Sequence, residues 1–217
     1  MKTLKKIHSK NKNEIVLIEQ KGTKNLKTVL IIGVVHGDEP QGKFLIENYL
    51  ENSKNKSSGL PENRMLLIPC LNPDGLALGT RQNANLVDIN RNFPTQNWQN
   101  APFTPEYFGG EKCFSEIETK FVMKILEKFS PDVIFTLHTP FKVVNYDGPA
   151  KDIAKRISEI IKYPVKKQIG YPTPGSFGTY AGIERKIPII TLELDEEIDV
   201  KELVAPMNKI FDYLGNV

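Results

Sequence analysis

The chain has 217 residues, of which 40% are apolar and 25% charged, with a formal net charge of +3. This is ordinary soluble composition and enough chain for one domain, residues 1–217, with a sizeable core. The small charge, with lysine spread along the chain rather than clustered, argues against nucleic acid or a membrane surface as partner.

No apolar run is long enough to span a bilayer. The N-terminal stretch MKTLKKIHSKNKNEIVLIEQ has basic residues but no signal-peptide apolar segment, so a cytoplasmic location is expected. Cys70 and Cys113 match no paired metal spacing and are expected to be reduced thiols. Oligomeric state is left open.

In chain order, Glu14 to Gln20 predicts a short first strand, and Val29 to Val35 a strand buried on both faces. Pro40 suits a helix start, and the helix over Gln41 to Asn52 is expected to bury Phe44, Leu45, Tyr49 and Leu50. The polar stretch NSKNKSSGLPEN is a connector. Arg64 to Cys70 is another apolar strand, ending at the turn signal Asn72-Pro73-Asp74-Gly75.

From there to Cys113 little is periodic. A loop of that length is usually functional or disordered, and Trp98, Phe103, Tyr107 and Phe108 argue against disorder. Ser115 and Glu118 form a capping-box pattern opening a helix through Phe129, which Pro131 stops. Asp132 to Leu137 is a buried strand ending at His138, and Pro149 to Ile161 is a helix. Tyr171 to Gly178 is a rigid loop, Thr179 to Arg185 a short helix, Ile187 to Leu194 a strand and Val200 to Leu214 a closing helix. Strands alternating with helices predict an α/β fold: a mixed, mostly parallel central sheet with helices on both faces.

Three of these strands carry chemistry at their ends. The first buried run leads into His36-Gly37-Asp38-Glu39, another ends at His138, and the last contains Glu193. In a parallel sheet such ends share one edge, where ligands sit. Two His and one carboxylate with a position open to water make a catalytic zinc site, and a further carboxylate is what a hydrolase needs as general base. Each residue alone has a plain structural reading. However, Glu193 lies between Leu192 and Leu194 in a very apolar strand, and a lone buried carboxylate is costly. Asp38 is read as a strand-end turn residue rather than a ligand. In TRQNANLVDINRNF, Arg81 and Arg91 either fork onto a substrate carboxylate and an oxyanion or pair with Asp88 to pin the loop. Asp88 can alternatively orient a metal-bound histidine.

The ordered motifs His36-Gly37-Asp38-Glu39, Asn72-Pro73-Asp74-Gly75, Asp88-Ile89-Asn90-Arg91-Asn92-Phe93, His138 and Thr191-Leu192-Glu193-Leu194 resemble the zinc metallocarboxypeptidases of the carboxypeptidase A type. The resemblance covers roughly Val29 to Leu194. It implies one zinc (Zn2+) per chain on His36, Glu39 and His138, with Glu193 as general base. It implies that Asn90 and Arg91 hold the substrate's terminal carboxylate, that Arg81 stabilises the oxyanion, and that Asp88 supports the first zinc histidine. It also implies that Tyr171 closes over substrate.

Within that family, His138-Thr139-Pro140, the stretch Val144 to Ala150 (VNYDGPA) and the stretch Pro172 to Gly178 (PTPGSFG) look like the bacterial murein tripeptide amidases. That resemblance implies cleavage of the γ-D-glutamyl–meso-diaminopimelate bond of a small peptide in cell-wall recycling. Asp147 then recognises the distal ammonium of diaminopimelate, or simply forms a turn before Gly148. Asn85 stands where related sequences often carry Gly, and is expected to take a left-handed backbone. Three competing readings are another carboxypeptidase of the same family, an N-acyl amino acid deacylase of the aspartoacylase or succinylglutamate desuccinylase kind, and a metal-free peptide-binding module.

Overall fold

The computed structural model describes residues 1–54, 60–100, 104–167 and 170–217. Its strands are β1 Lys2–His8, β2 Glu14–Gln20, β3 Thr28–Ile32, β4 Arg64–Ile68, β5 Val133–His138, β6 Val143–Asp147, β7 Val165–Lys166 and β8 Ile189–Glu193. They form one sheet in the order β1-β2-β4-β3-β5-β8-β6-β7. The central four, β4-β3-β5-β8, run parallel. Antiparallel pairings join β1 to β2, β2 to β4 and β6 to β8.

The central strands are apolar throughout because both faces are covered. Along β3 the side chains alternate between two cores. Val29 and Ile31 pack with helices α1 (Gln41–Lys54), α4 (Lys151–Ile161) and α5 (Val204–Leu214). Leu30 and Ile32 pack with helix α3 (Ile117–Phe129) and with Ile89, Phe93, Phe177 and Tyr180 from the long loops. The mixed sheet with helices on both faces is the architecture expected from the sequence.

Several local expectations are corrected. Strand β1 precedes the strand expected to be first; its three lysines and exposed edge position hide its pattern. Phe44 is 38% exposed rather than buried. The buried stripe of α1 runs through Leu45, Ile46, Tyr49 and Leu50, and Phe44 lies off it at helical spacing. Asn72-Pro73-Asp74-Gly75 opens a short helix, α2 (Pro73–Leu78), capped by the Asn72 side chain accepting from Gly75 N–H. Helix α3 starts at Ile117, so Ser115 is not its cap. Its hydroxyl instead donates to Glu116 Oε1 at 2.6 Å. Residues Gly178–Glu184 form a π-helical turn, and Val200–Leu203 are a 3-10 turn leading into α5. The left-handed residue before Val87 is Leu86 (φ 58°), not Asn85. Asn85 instead donates its side-chain amide to Glu116. Phe103 and part of the connector after Asn52 lie outside the described residues. Cys70 and Cys113 are free thiols.

Candidate active site

Parallel pairing sets the site. In the ladder between β5 and β8, His138 stands directly opposite Glu193, both at the carboxyl ends of their strands. Strand β3, on the other side of β5, ends at Ile32, three residues earlier than the apolar run suggests. The chain then turns sharply: Val34 takes a left-handed φ of 50°, unusual for a β-branched residue and a point of stored strain. That turn directs His36 and Glu39 toward His138. Gly37 allows it, because a Cβ there would come within 2.0 Å of the Gly75 backbone.

His36, Glu39 and His138 are buried and converge. The two Nδ1 atoms are 3.2 Å apart, and each faces one oxygen of Glu39, at 2.8 Å from His36 and 2.9 Å from His138. Two nitrogens bound tetrahedrally to zinc at about 2.0–2.1 Å lie about 3.3 Å from each other. The donor set and its spacing therefore fit one zinc ion. Asp88, fully buried, places Oδ1 3.2 Å from His36 Nε2, the far nitrogen, which is the arrangement that fixes the tautomer of a metal-binding histidine. Burial by itself pushes the His36 imidazole down. The carboxylates of Glu39 and Asp88 outweigh it and hold the group up at about 9. For His138, burial prevails and the shift is downward. Glu39 and Asp88 are held well below the usual carboxylate range, against their burial, by the imidazoles and, for Asp88, by Arg81 and Arg91. A site so rich in negative charge around two imidazoles suits a divalent cation.

These groups open onto a cleft of about 280 Å³ that Glu193, Arg81, Asn90, Arg91, Tyr171 and Asp147 also line. Glu193 is 5% exposed, and its Oε2 has no hydrogen-bond partner among the described residues. Burial, then the nearby Glu39 carboxylate, pushes it up to about 8. A cation on the neighbouring donors would oppose that rise. Arg81 donates from Nε to Asp88 Oδ2 at 3.0 Å, and its Nη1 lies 3.8 Å from Glu39 Oε1. Its backbone carbonyl accepts from Asn72 Nδ2 and Gly37 N–H, so the α2 cap also holds the arginine. Asn90 Oδ1 accepts from Phe177 N–H, which commits the carbonyl end of the amide and leaves the NH2 end for a ligand. Arg91 is 5% exposed and bonds the carbonyl of Asn90. Among the described residues it forms no ion pair.

Tyr171 is 38% exposed at the mouth, its ring 6.2 Å from Tyr107 and 6.4 Å from Phe141. At the end of β6 the Asp147 side chain has no hydrogen-bond or ion-pair partner among the described residues, and burial raises its pKa despite the opposing charge of Lys167. It fits there because residue 178 is glycine: a Cβ would stand 2.3 Å from Asp147 Oδ2. Asp38 is exposed at the rim and is not in the metal-binding group.

The family model for zinc carboxypeptidases (Peptidase M14) matches residues 3–197. The chain belongs to the zinc carboxypeptidase family. Murein peptide amidase A of Vibrio campbellii is 39% identical over an alignment of 140 residues, with 59% of this chain and 55% of that protein covered. Murein peptide amidase A of Escherichia coli is 29% identical over 194 residues, 82% of this chain and 77% of that one. The match thus spans about half of the first relative and about three quarters of the second. Among solved structures, the murein-tripeptide amidase of Escherichia coli O157 superposes with a TM-score of 0.82 at 24% identity, covering 97% of this chain and 90% of that one. Carboxypeptidase A of Helicoverpa armigera gives 0.76 at 15%, covering 96% and 66%.

The candidate metal, catalytic and substrate-binding residues all line one cleft, and Asp88 bonds His36 from behind it. Sequence reasoning missed Tyr107 and Phe141 as members of it. Tyr107 counted only as an aromatic residue opposing disorder; its place against two arginines carries no periodic signal.

Proposed function

We propose that this chain is a zinc-dependent amidase acting on a small cell-wall peptide. It cleaves the γ-D-glutamyl–meso-diaminopimelate bond of L-Ala-γ-D-Glu-meso-diaminopimelate, as one catalytic domain working in the cytoplasm in peptidoglycan recycling. The observation that carries the reading is the unpaired, buried Oε2 of Glu193 beside the His36–Glu39–His138 group in the cleft that Arg91 also lines. Its substrate class is supported by the two relatives named murein peptide amidase A. No described helix is long and apolar enough to cross a membrane.

His36, Glu39 and His138 would hold one zinc ion, which when bound supplies Lewis acidity to a carbonyl and makes water acidic near neutrality. The residues of the chain do the rest. Glu193 accepts the proton of the attacking water at its free oxygen and returns it to the leaving amine, so that one C–O bond forms as the C–N bond breaks. Arg81, held by Asp88, donates to the carbonyl oxygen as negative charge builds there. Arg91 and the NH2 end of Asn90 hold the carboxylate beside the amine, which restricts cleavage to a terminal residue. Asp147 receives the distal ammonium of diaminopimelate, and Tyr171 covers the bound peptide.

The test is incubation of the zinc-loaded protein with the murein tripeptide and detection of free diaminopimelate, with N-acetylaspartate and succinylglutamate in parallel. Release of diaminopimelate, reduced at least tenfold in Asp147→Asn, is expected. Cleavage of only the acyl amino acids would overturn the reading in favour of a deacylase.

A further inference from the structure

We infer that Tyr107 is a positioning residue: its ring holds Arg81 and Arg91, two like-charged side chains of different tasks, aimed into one cleft. The inference rests on the amidase reading for the tasks of the two arginines, but the contact is independent of it. The ring centroid is 4.9 Å from Arg81 Cζ and 5.3 Å from Arg91 Cζ, both within the range of cation–π attraction. Asp88 offsets the charge of Arg81. Arg91 forms no ion pair among the described residues, so before a substrate carboxylate arrives its charge faces the more distant Asp88 carboxylate and the negative face of this ring.

Tyr107 is itself well anchored. It ends a 3-10 turn, Pro105–Tyr107. Gln82 Nε2 donates to the carbonyl of Pro105 at 2.8 Å, and the N–H of Asp88 donates to that of Phe108 at 2.8 Å. Asn92 Nδ2 donates to the carbonyl of Gly109, also at 2.8 Å. The turn is therefore tied to the same segment that carries both arginines, Asp88 and Asn90, and the ring cannot drift from them. Its other neighbour is Tyr171, so the rim of the cleft leans on it as well. What the arginines need is the aromatic face. Among the described residues the side chains of Arg81 and Arg91 bond Asp88 and the Asn90 carbonyl, not the Tyr107 hydroxyl.

The test compares Tyr107→Phe, which keeps the ring, with Tyr107→Leu, which removes it, both zinc-loaded. Three readouts are taken: ring-current shifts of the Arg81 and Arg91 guanidinium signals by NMR, steady-state cleavage of the murein tripeptide, and titration with N-benzoylglycine and its amide. In Tyr107→Leu the ring-current shifts vanish, KM for the tripeptide rises about tenfold through Arg91, and kcat falls severalfold through Arg81. Binding of N-benzoylglycine weakens about tenfold while that of its amide does not change. Tyr107→Phe stays within twofold of wild type throughout, and Tyr107→Leu adds no further loss of carboxylate binding on an Arg91→Met background. Equal losses for carboxylate and amide, unchanged kinetics and binding in Tyr107→Leu, or no carboxylate-dependent binding by the wild type would each overturn the inference. A wild type that binds N-benzoylglycine but leaves the tripeptide intact removes the amidase reading alone, and the binding arm still decides the role of Tyr107.

Discussion

Glu193 sits where a carboxylate has little reason to be unless it meets a ligand. It is enclosed by a sheet whose neighbouring residues Leu192 and Leu194 are fully buried, and one of its oxygens has no hydrogen-bond partner among the described residues. Such a placement is legible from sequence, because a single charge inside an apolar strand stands out. The same holds for His36 with Glu39 and for His138, which follow apolar runs. Less visible was the commitment of Asn90 to Phe177, which arises only when the loop at 171–178 folds onto the segment at 88–93. Glu193→Gln keeps shape and burial but cannot take a proton. The expected outcome is unchanged zinc content and melting behaviour with kcat lowered at least 100-fold, the range for a lost general base. Metal analysis beside turnover assays checks it, and near-wild-type turnover would remove Glu193 from the chemistry.

The elements that hold these residues were mostly legible by their periodicity, and their failures have physical causes. Strand β1 was invisible because its lysines suit an exposed edge. The end of β3 was overestimated because Gly33, Val34 and Val35 continue the apolar run while the backbone turns. The start of α3 was misplaced because Ser115 answers to Asn92 and Glu116 rather than to the helix. There Asn83 Nδ2 donates to Glu116 at 2.8 Å and to Glu118 at 3.2 Å, drawing two carboxylates together behind the segment that carries Asp88 and Arg91. Burial, then Glu116 and Asp74, raises Glu118 from 4.5 to about 7. The folded state thus keeps a proton that the unfolded chain releases near 4.5. The stabilisation is fully present below that pH and is lost as pH rises through about 7, amounting to something on the order of 3 kcal/mol. Glu118→Gln stays neutral throughout. Its stability relative to wild type is therefore expected to rise between pH 5 and pH 8, as read from denaturant midpoints at each pH. Parallel curves for the two proteins would rule this out.

At the scale of the molecule, the general architecture followed from alternating strands and helices, but the strand order did not. Nothing local in the chain says that β5 lies between β3 and β8, although that adjacency is what brings His138 beside both Glu193 and the segment after β3. Inference of the site therefore rested on the motifs, and its assembly rests on the sheet. The metal-binding group stands outside both apolar clusters, each of which is continuous without it. Removing zinc should accordingly leave the fold in place and lower its stability, because a ligand bound only by the folded state stabilises it by mass action. With zinc at about 1,000 times its Kd the gain is about 4 kcal/mol, which for a chain of this size corresponds to roughly 10 °C in Tm. Binding also requires the two imidazoles to be free of protons on the atoms that face the metal, so the gain shrinks as pH falls. Calorimetry with and without chelator at pH 7.5 and pH 5.5 is expected to show a large chelator effect at the higher pH and a small one at the lower. His138→Ala should show neither, since it lacks a ligand. If a chelator strips zinc from the wild type without moving Tm at pH 7.5, the ion is not held by this buried group, and the assignment of His36, Glu39 and His138 as its ligands fails.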